Sequence, residues 1–176
     1  LDRMPTAEEL AGWRACPRCG IVLEHEEASV SCPGCGLSVY ANPAPTASAL
    51  VVDGDGRVLL TLRAGEPGEG LWDLPGGFVD EGEDALETLR RELREELGVE
   101  IEPGRLVGSP PDRYGEEGPW TVNFYWEARI VSGEPEPADD VADIRWFPRD
   151  ELPPKHEFAF RNTVEILELW GGRFPD

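Results

Sequence analysis

Residues 84–97 constrain this chain more than any other segment. Leu86, Leu89, Leu93 and Leu97 recur at helical spacing on one stripe and Gly98 closes the run, so the pattern predicts an amphipathic helix that must bury its leucines against another element. Glu92, Glu95 and Glu96 crowd one turn of it. At about 100° per residue, Glu92 and Glu96 project together beside the stripe and Glu95 points further towards solvent. Like charges at i, i+4 cost roughly 0.2–0.5 kcal/mol on an exposed helix, and more where the surroundings are partly dry. A bound cation would relieve that cost, and glutamate oxygens suit Mg²⁺ or Mn²⁺; an acidic, solvated helix face is the alternative. Arg91 stands four residues from both Glu87 and Glu95, a ladder that supports these side chains without touching a ligand.

Around this helix the patterning changes. ALVV and RVLLTLR flank the turn Asp53-Gly54-Asp55-Gly56 and read as two strands joined by a hairpin loop. A loop rich in Gly and Glu covers residues 64–70, followed by LWDLPGGFVDEGE, where the adjacent Gly76 and Gly77 permit close backbone approach and mark a ligand loop. Downstream, residues 99–107, 121–131 and 144–147 read as strands, and 158–170 has helical apolar spacing. Strands and helices mix without a regular βαβ alternation, which gives an α+β chain with helices packed on a mixed sheet.

The N-terminal segment needs a different explanation. Residues 16–40 are rich in Cys, Gly and Pro and have too little apolar content to fold unaided. Cys16-Pro-Arg-Cys19 and Cys32-Pro-Gly-Cys35 form two C-x₂-C knuckles, each followed by glycine. Two such turns place four thiolates around Zn²⁺, and a shell closed by four protein ligands is structural rather than catalytic. A redox dithiol or a pair of disulfides are the alternatives. His25 lies between the knuckles and reads as a surface residue. The stretch Ala41-Asn42-Pro43-Ala44-Pro45-Thr46 breaks regular structure, which puts a boundary between residues 1–41, the ribbon segment, and a main domain at 42–176.

Charge narrows the partners. With 36 acidic against 16 basic side chains the formal net charge is −20, so binding to nucleic acid or an anionic membrane is disfavoured unless a cation intervenes. No apolar run reaches the ~20 residues of a membrane helix, and the first residues lack the pattern of a secretion signal. The expectation is a cytoplasmic protein with a nucleotide-derived small molecule as partner. Pairing of two copies through the ribbon stays open.

The segment 77–99 resembles the Nudix box: Gly77, Glu83, then Arg91, Glu92, Leu93, Glu95, Glu96, Gly98 and Val99 stand at its specified positions. The preceding LWDLPGG resembles the family's usual approach to that box, and the likeness extends over residues 46–153. The resemblance implies a Nudix-type α/β/α sandwich around a mixed sheet, and hydrolysis of a diphosphate by water with the help of divalent metal ions. It implies Glu92 and Glu96 as principal metal ligands and Glu95 as a third ligand or hydrogen-bonding partner. Arg91 would support them, and Gly76 or Gly77 would offer a backbone carbonyl to metal or substrate. The general base is either a box glutamate or an acid from a separate loop; Asp140, Glu116 and Glu117 qualify, and Asp140 is the one carried forward.

A ribbon before such a domain is similar to the NADH pyrophosphatase branch and to ribbon-bearing hydrolases of ADP-ribose, NADH or FAD. The match is incomplete, because that branch carries a Ser-Gln-Pro-Trp-Pro-Phe-Pro-type motif where this chain has Gly108-Ser109-Pro110-Pro111-Asp112-Arg113-Tyr114. Trp120, Phe124, Tyr125, Trp126 and Phe158 are either core or base-stacking residues. Hydrolysis of a nucleoside diphosphate derivative is the expected function, with nucleoside triphosphate hydrolysis and a non-catalytic nucleotide sensor as alternatives.

Overall fold

The computed structural model describes residues 5–116 and 118–175, which fall into two compact units, Leu1–Ala44 and Pro45–Asp176. In the first, helix α1 (Ala7–Gly12) is started by a capping box: Thr6 accepts from the Glu9 amide and Glu9 from the Thr6 amide. Strands β1 (Glu24–His25), β2 (Ser29–Ser31) and β3 (Ser38–Tyr40) follow as an antiparallel three-stranded sheet. Leu10, Leu23 and Val30 form a small core with Cys16 and Cys32. So little apolar surface contributes only a few kcal/mol, and the thiols sit where a larger domain would have more hydrocarbon.

The second unit is built on β4 (Ala44–Val51), β5 (Val58–Arg63), β6 (Trp72–Asp73), β7 (Gly76–Phe78), β8 (Glu100–Gly108), β9 (Pro111–Arg113), β10 (Trp120–Ser132) and β11 (Val141–Phe147), with helices α2 (Ala85–Leu97) and α3 (Arg161–Trp170). One sheet has the order β7-β4-β10-β8, with β9 added along β10; the other has the order β11-β5-β6. The two strands flanking the 53–56 turn therefore part into different sheets, joined at their base by the Val52↔Val58 bridge. β4 begins inside the proline-containing stretch, earlier than the sequence pattern indicates, because proline is tolerated at the start of a strand. The Pro45 carbonyl still accepts from Val79.

Strand β4 is buried on both faces, and its alternation sets the layers. Ala47, Ala49 and Val51 face Leu89, Leu93 and Leu97 of α2, while Leu50 faces Ile166, Leu167 and Trp170 of α3. The unit is thus the α/β/α sandwich of a Nudix-type fold. Each of the three α2 leucines is fully buried, a contribution of about 1.5–3 kcal/mol per side chain. On the face that carries Leu50, Ser48 and Thr46 take over towards the start of the strand, and there the core gives way to a polar cleft.

Helix α2 starts and ends where its sequence dictates. Asp84 accepts from the Leu86 and Glu87 amides, Glu87 reaches back to the Asp84 amide, and Gly98 takes the left-handed conformation (φ +67°) that stops the helix. Its last carbonyls are met from outside: Ala138 donates to the Glu96 carbonyl and Glu136 to that of Leu97. This pairing lays residues 136–140 along the end of the helix.

Candidate active site

The cleft has a volume of about 140 Å³ and is walled by β4, β5, β6, β7, α2, β9, β10, the 139–140 turn and the start of α3. Six carboxylates line it, those of Asp73, Glu92, Glu96, Asp112, Asp139 and Asp140, against the two guanidinium groups of Arg63 and Arg113. An anionic ligand would meet strong repulsion there without cations. A separate groove of about 500 Å³ at Glu102, Gly104, Arg129 and Arg149 is larger but holds none of these groups.

Two adjacent glycines connect the sheet to the carboxylates. Gly76 and Gly77 belong to β7 and pair with Ser48 and Ala47 of β4, so the ligand loop read from the sequence is also a strand. The Gly76 amide donates to Glu96 Oε2 at 3.0 Å. A Cβ at Gly76 would fall 2.2 Å from the Ala47 carbonyl oxygen, whereas one at Gly77 would fall 2.3 Å from Glu92 Oε1. Gly76 is therefore required by the sheet and Gly77 by the carboxylate.

Arg91 organises the helix side of the cleft. Its Nε and Nη2 donate to the two oxygens of Glu83 at 2.9 Å each, Nη1 to Glu92 at 2.8 Å and to Glu95 at 3.1 Å, and Nη2 also to the Phe78 carbonyl. The expected rung to Glu87 is replaced by Glu83, because Glu87 is held by the cap at Asp84. The forked contact and a hydrogen bond from Thr88 hold the Glu83 carboxyl down to about 2.

Glu96 is buried and Glu92 nearly so, while the Glu95 side chain is 51% exposed. Burial pushes the Glu96 carboxyl well above the usual range, and the charges of Asp140 and Glu92 add to it. Glu92 is raised too, chiefly by burial, with Arg91 opposing. The turn before β11 supplies Asp140, whose charge acts on both glutamates, and beside it Asp139 adopts a left-handed φ of +54°. Glu116 lies outside this cleft along a neighbouring groove, and Glu117 lies outside the described residues.

Further groups of the cleft have no local signal in the sequence. Arg63, on β5, donates from Nε to the Pro67 carbonyl at 2.7 Å and from Nη2 to the Tyr114 hydroxyl at 3.2 Å, and its Nη1 lies 3.6 Å from Asp73. Asp73 also accepts from Thr163 at 2.6 Å and from the Leu74 amide. Tyr114 stacks on Phe160 at 5.6 Å and meets Phe78 edge-on. These three rings reach the cleft. Of the aromatics singled out from the sequence, Tyr125 and Phe158 are core, Tyr125 also lining the cleft, and Trp120 is exposed under Arg113.

In the first unit, the four thiols are the only group of three or more His, Cys, Asp or Glu side chains, among the described residues, whose ligand atoms lie within 4.8 Å of one another. Cys16 Sγ stands 3.6 Å from Cys35 Sγ, and Cys19 Sγ 3.4 Å from Cys32 Sγ. Sulfurs bound at about 2.3 Å to one tetrahedral ion stand roughly 3.8 Å apart. Each knuckle is closed by a glycine with positive φ, Gly20 donating to the Cys16 carbonyl and Gly36 to that of Cys32. His25 is exposed on β1 and outside the group.

The carboxylates converge less tightly. Arg91 holds one oxygen of Glu92 and the Gly76 amide one oxygen of Glu96, which leaves the second oxygen of each without a donor among the described residues. A set of hard oxygens crowded by like charge fits a divalent cation. No helix among the described residues is long and apolar enough to cross a membrane.

Comparison with known proteins agrees with this geometry. The NUDIX domain model matches residues 42–166. The NAD-capped RNA hydrolase NudC of Stutzerimonas stutzeri is 31% identical over 170 residues, 91% of this chain and 59% of the relative, so the chain spans little more than half of that protein. The ADP-ribose pyrophosphatase of Methanocaldococcus jannaschii is 31% identical over 75% of this chain and 77% of its own length. A NUDIX hydrolase from Nitrosomonas europaea superposes with a TM-score of 0.71 at 25% identity, covering 92% of this chain and 95% of that one. The chain belongs to the Nudix family.

Proposed function

We propose that this chain hydrolyses the diphosphate linkage of a nucleoside diphosphate derivative of the ADP-ribose, NADH or FAD kind, releasing a nucleoside monophosphate and a phosphorylated second half. The observation that carries this reading is the pairing of Glu92 and Glu96 in one cleft, each fixed through one oxygen and each with a second oxygen to give. These two side chains would hold Mg²⁺ or Mn²⁺, with Glu95 or a carbonyl of Gly76 or Gly77 completing the set. Bound there, divalent ions neutralise phosphate oxygens and make a water more acidic.

The remaining work falls to protein groups. Arg91 positions Glu92 and Glu95 without touching substrate. Asp140 takes the proton of the attacking water as the new P–O bond forms and the bond to the bridging oxygen breaks. Arg63 offers a cation in the same cleft as the glutamates. The names of the relatives reach to an NAD cap on RNA; for this chain a free nucleotide derivative is favoured, because a net charge of −20 opposes a polyanion. The four thiols would hold one structural Zn²⁺, with no ligand position left for water.

A turnover screen against ADP-ribose, NADH, FAD, diadenosine polyphosphates and nucleoside triphosphates in millimolar Mg²⁺, with an EDTA control, tests the reading. Glu96→Gln should lower kcat on the best substrate by about 10³-fold with little change in Tm. Full activity in that variant would refute the assignment, and no turnover on any substrate would favour a nucleotide sensor.

A further inference from the structure

Among the described residues only two side-chain polar atoms that are wholly shielded from solvent have no hydrogen-bond partner, Arg113 Nε and Asn162 Oδ1. Both residues line the cleft, and both flank Asp112: its Oδ1 accepts from the Arg113 amide at 2.8 Å and its Oδ2 from the Asn162 amide at 2.9 Å. Asp112 thereby caps the first turn of α3 from fifty residues away, where Phe160 provides no side-chain cap. Asn162 is 4% exposed. Unmet buried polar groups are uncommon because each carries the full penalty of desolvation. A donor and an acceptor left unmet on either side of one carboxylate describe the edge of a ligand.

The chemistry of that edge follows from what each group lacks. A phosphate offers only acceptors, so it would satisfy Arg113, leave Asn162 Oδ1 unmet and face the Asp112 carboxylate. An –NH₂ group fits better. Its two hydrogens suit two neighbouring acceptors, Asn162 Oδ1 and Asp112, while Arg113 Nε donates to a ring nitrogen or carbonyl oxygen beside it. The rings of Tyr114 and Phe160, stacked on each other, line the same cleft. Arg63 fixes Tyr114 through its hydroxyl.

We propose that Arg113 and Asn162, arranged around Asp112, are specificity-determining residues that select a planar substrate group bearing –NH₂ next to an acceptor. Two sources present that edge in nucleotides of the class proposed above, the amino-purine edge of adenine and the carboxamide of nicotinamide. The inference deepens the hydrolase reading and rests on it for the substrate class, but its test does not depend on turnover.

Binding of four nucleoside monophosphates to the full chain in millimolar Mg²⁺ reads the edge directly. Adenosine and inosine monophosphates differ by exchange of –NH₂ for a carbonyl; nicotinamide mononucleotide and its 3-acetylpyridine counterpart differ by exchange of –NH₂ for methyl, without change of charge. In at least one pair the –NH₂ member should bind about tenfold tighter or better. Asn162→Ala and Arg113→Ala should each bring that ratio close to one. Arg113 lies on the short strand β9, so its variant tests the edge even if the buried Asn162 position does not tolerate change. Equal binding within both pairs overturns the proposal, as does a ratio that survives the Arg113 substitution or an absence of binding by both –NH₂ ligands. Turnover in the substrate screen above, scored separately, shows whether the enzymatic reading stands or falls.

Discussion

The thiol cluster and the carboxylate cleft both suit metal ions, but they are assembled in opposite ways. Each cysteine pair is made by one short turn, closed by a glycine amide on a cysteine carbonyl, and the four sulfurs converge within 4.8 Å of one another. The cleft's carboxylates come from α2, β6, β9 and the turn before β11, and before any metal arrives the charge of the two glutamates is already partly answered by Arg91 and the Gly76 amide. A local site of soft ligands is incomplete without its ion. A site gathered from distant segments is held by protein partners of its own.

The contrast is broken most directly by removing one ligand from each place. Zinc binding at such sites contributes about 10–16 kcal/mol to folding, so Cys32→Ala should abolish zinc retention and strip residues 16–40 of hydrogen-exchange protection. Protection that persists without zinc would mean the small core around Leu10, Leu23 and Val30 suffices. The two glycines of β7 sharpen the other half. Gly76→Ala drives a methyl into backbone atoms of Ala47 and Ser48, which cannot yield, and should destabilise the unit by about 3 kcal/mol or more. Gly77→Ala meets first the end of the Glu92 side chain. It should leave Tm nearly unchanged while lowering kcat by about tenfold or more, since Glu92 must turn away. Equal thermal losses in the two variants would show that Gly77 also serves the sheet.

The same contrast explains what the sequence made legible. Helix α2 was readable because its leucine period and Gly98 are local, and the orientation of Glu92 and Glu96 follows from helix geometry alone; the Asp84 cap is seen only in the structure. The cysteine pairs were readable for the same reason. Arg63, Asp73, Asp112 and Asn162 were not, because their contacts join residues fifty to ninety positions apart: Arg63 to Tyr114, Asp112 to Asn162, Asp73 to Thr163. No periodicity within one element reports such pairings. Arg91 was misread by a smaller margin. Helical spacing points to Glu87, but the chain ahead of the cap doubles back and brings Glu83 alongside, while Glu87 is spent on closing the cap. The aromatic residues fall between these cases, since alternation separates core from surface but does not say which ring ends beside a cleft.

The smallest expected effect tests whether that Arg91 clamp persists when the carboxylates around it begin to titrate. Glu83 is held down to about 2 from an ordinary value of 4.5, first by the hydrogen bonds from Arg91 and then by that from Thr88. A carboxylate with a depressed folded value contributes stability above its unfolded value, and that contribution fades as pH falls towards the folded one. The clamp should therefore be whole at pH 5, weaken across the window between about 4.5 and about 2, and be gone below it. Scanning Tm against pH for the wild type and for Glu83→Gln should show a shallower acid slope in the variant across that window, and the two curves should converge below it. A carboxyl resonance of Glu83 that titrates near 4.5 would instead make the contact an ordinary solvated ion pair, and Arg91 would then hold Glu92 without the anchor that Glu83 provides.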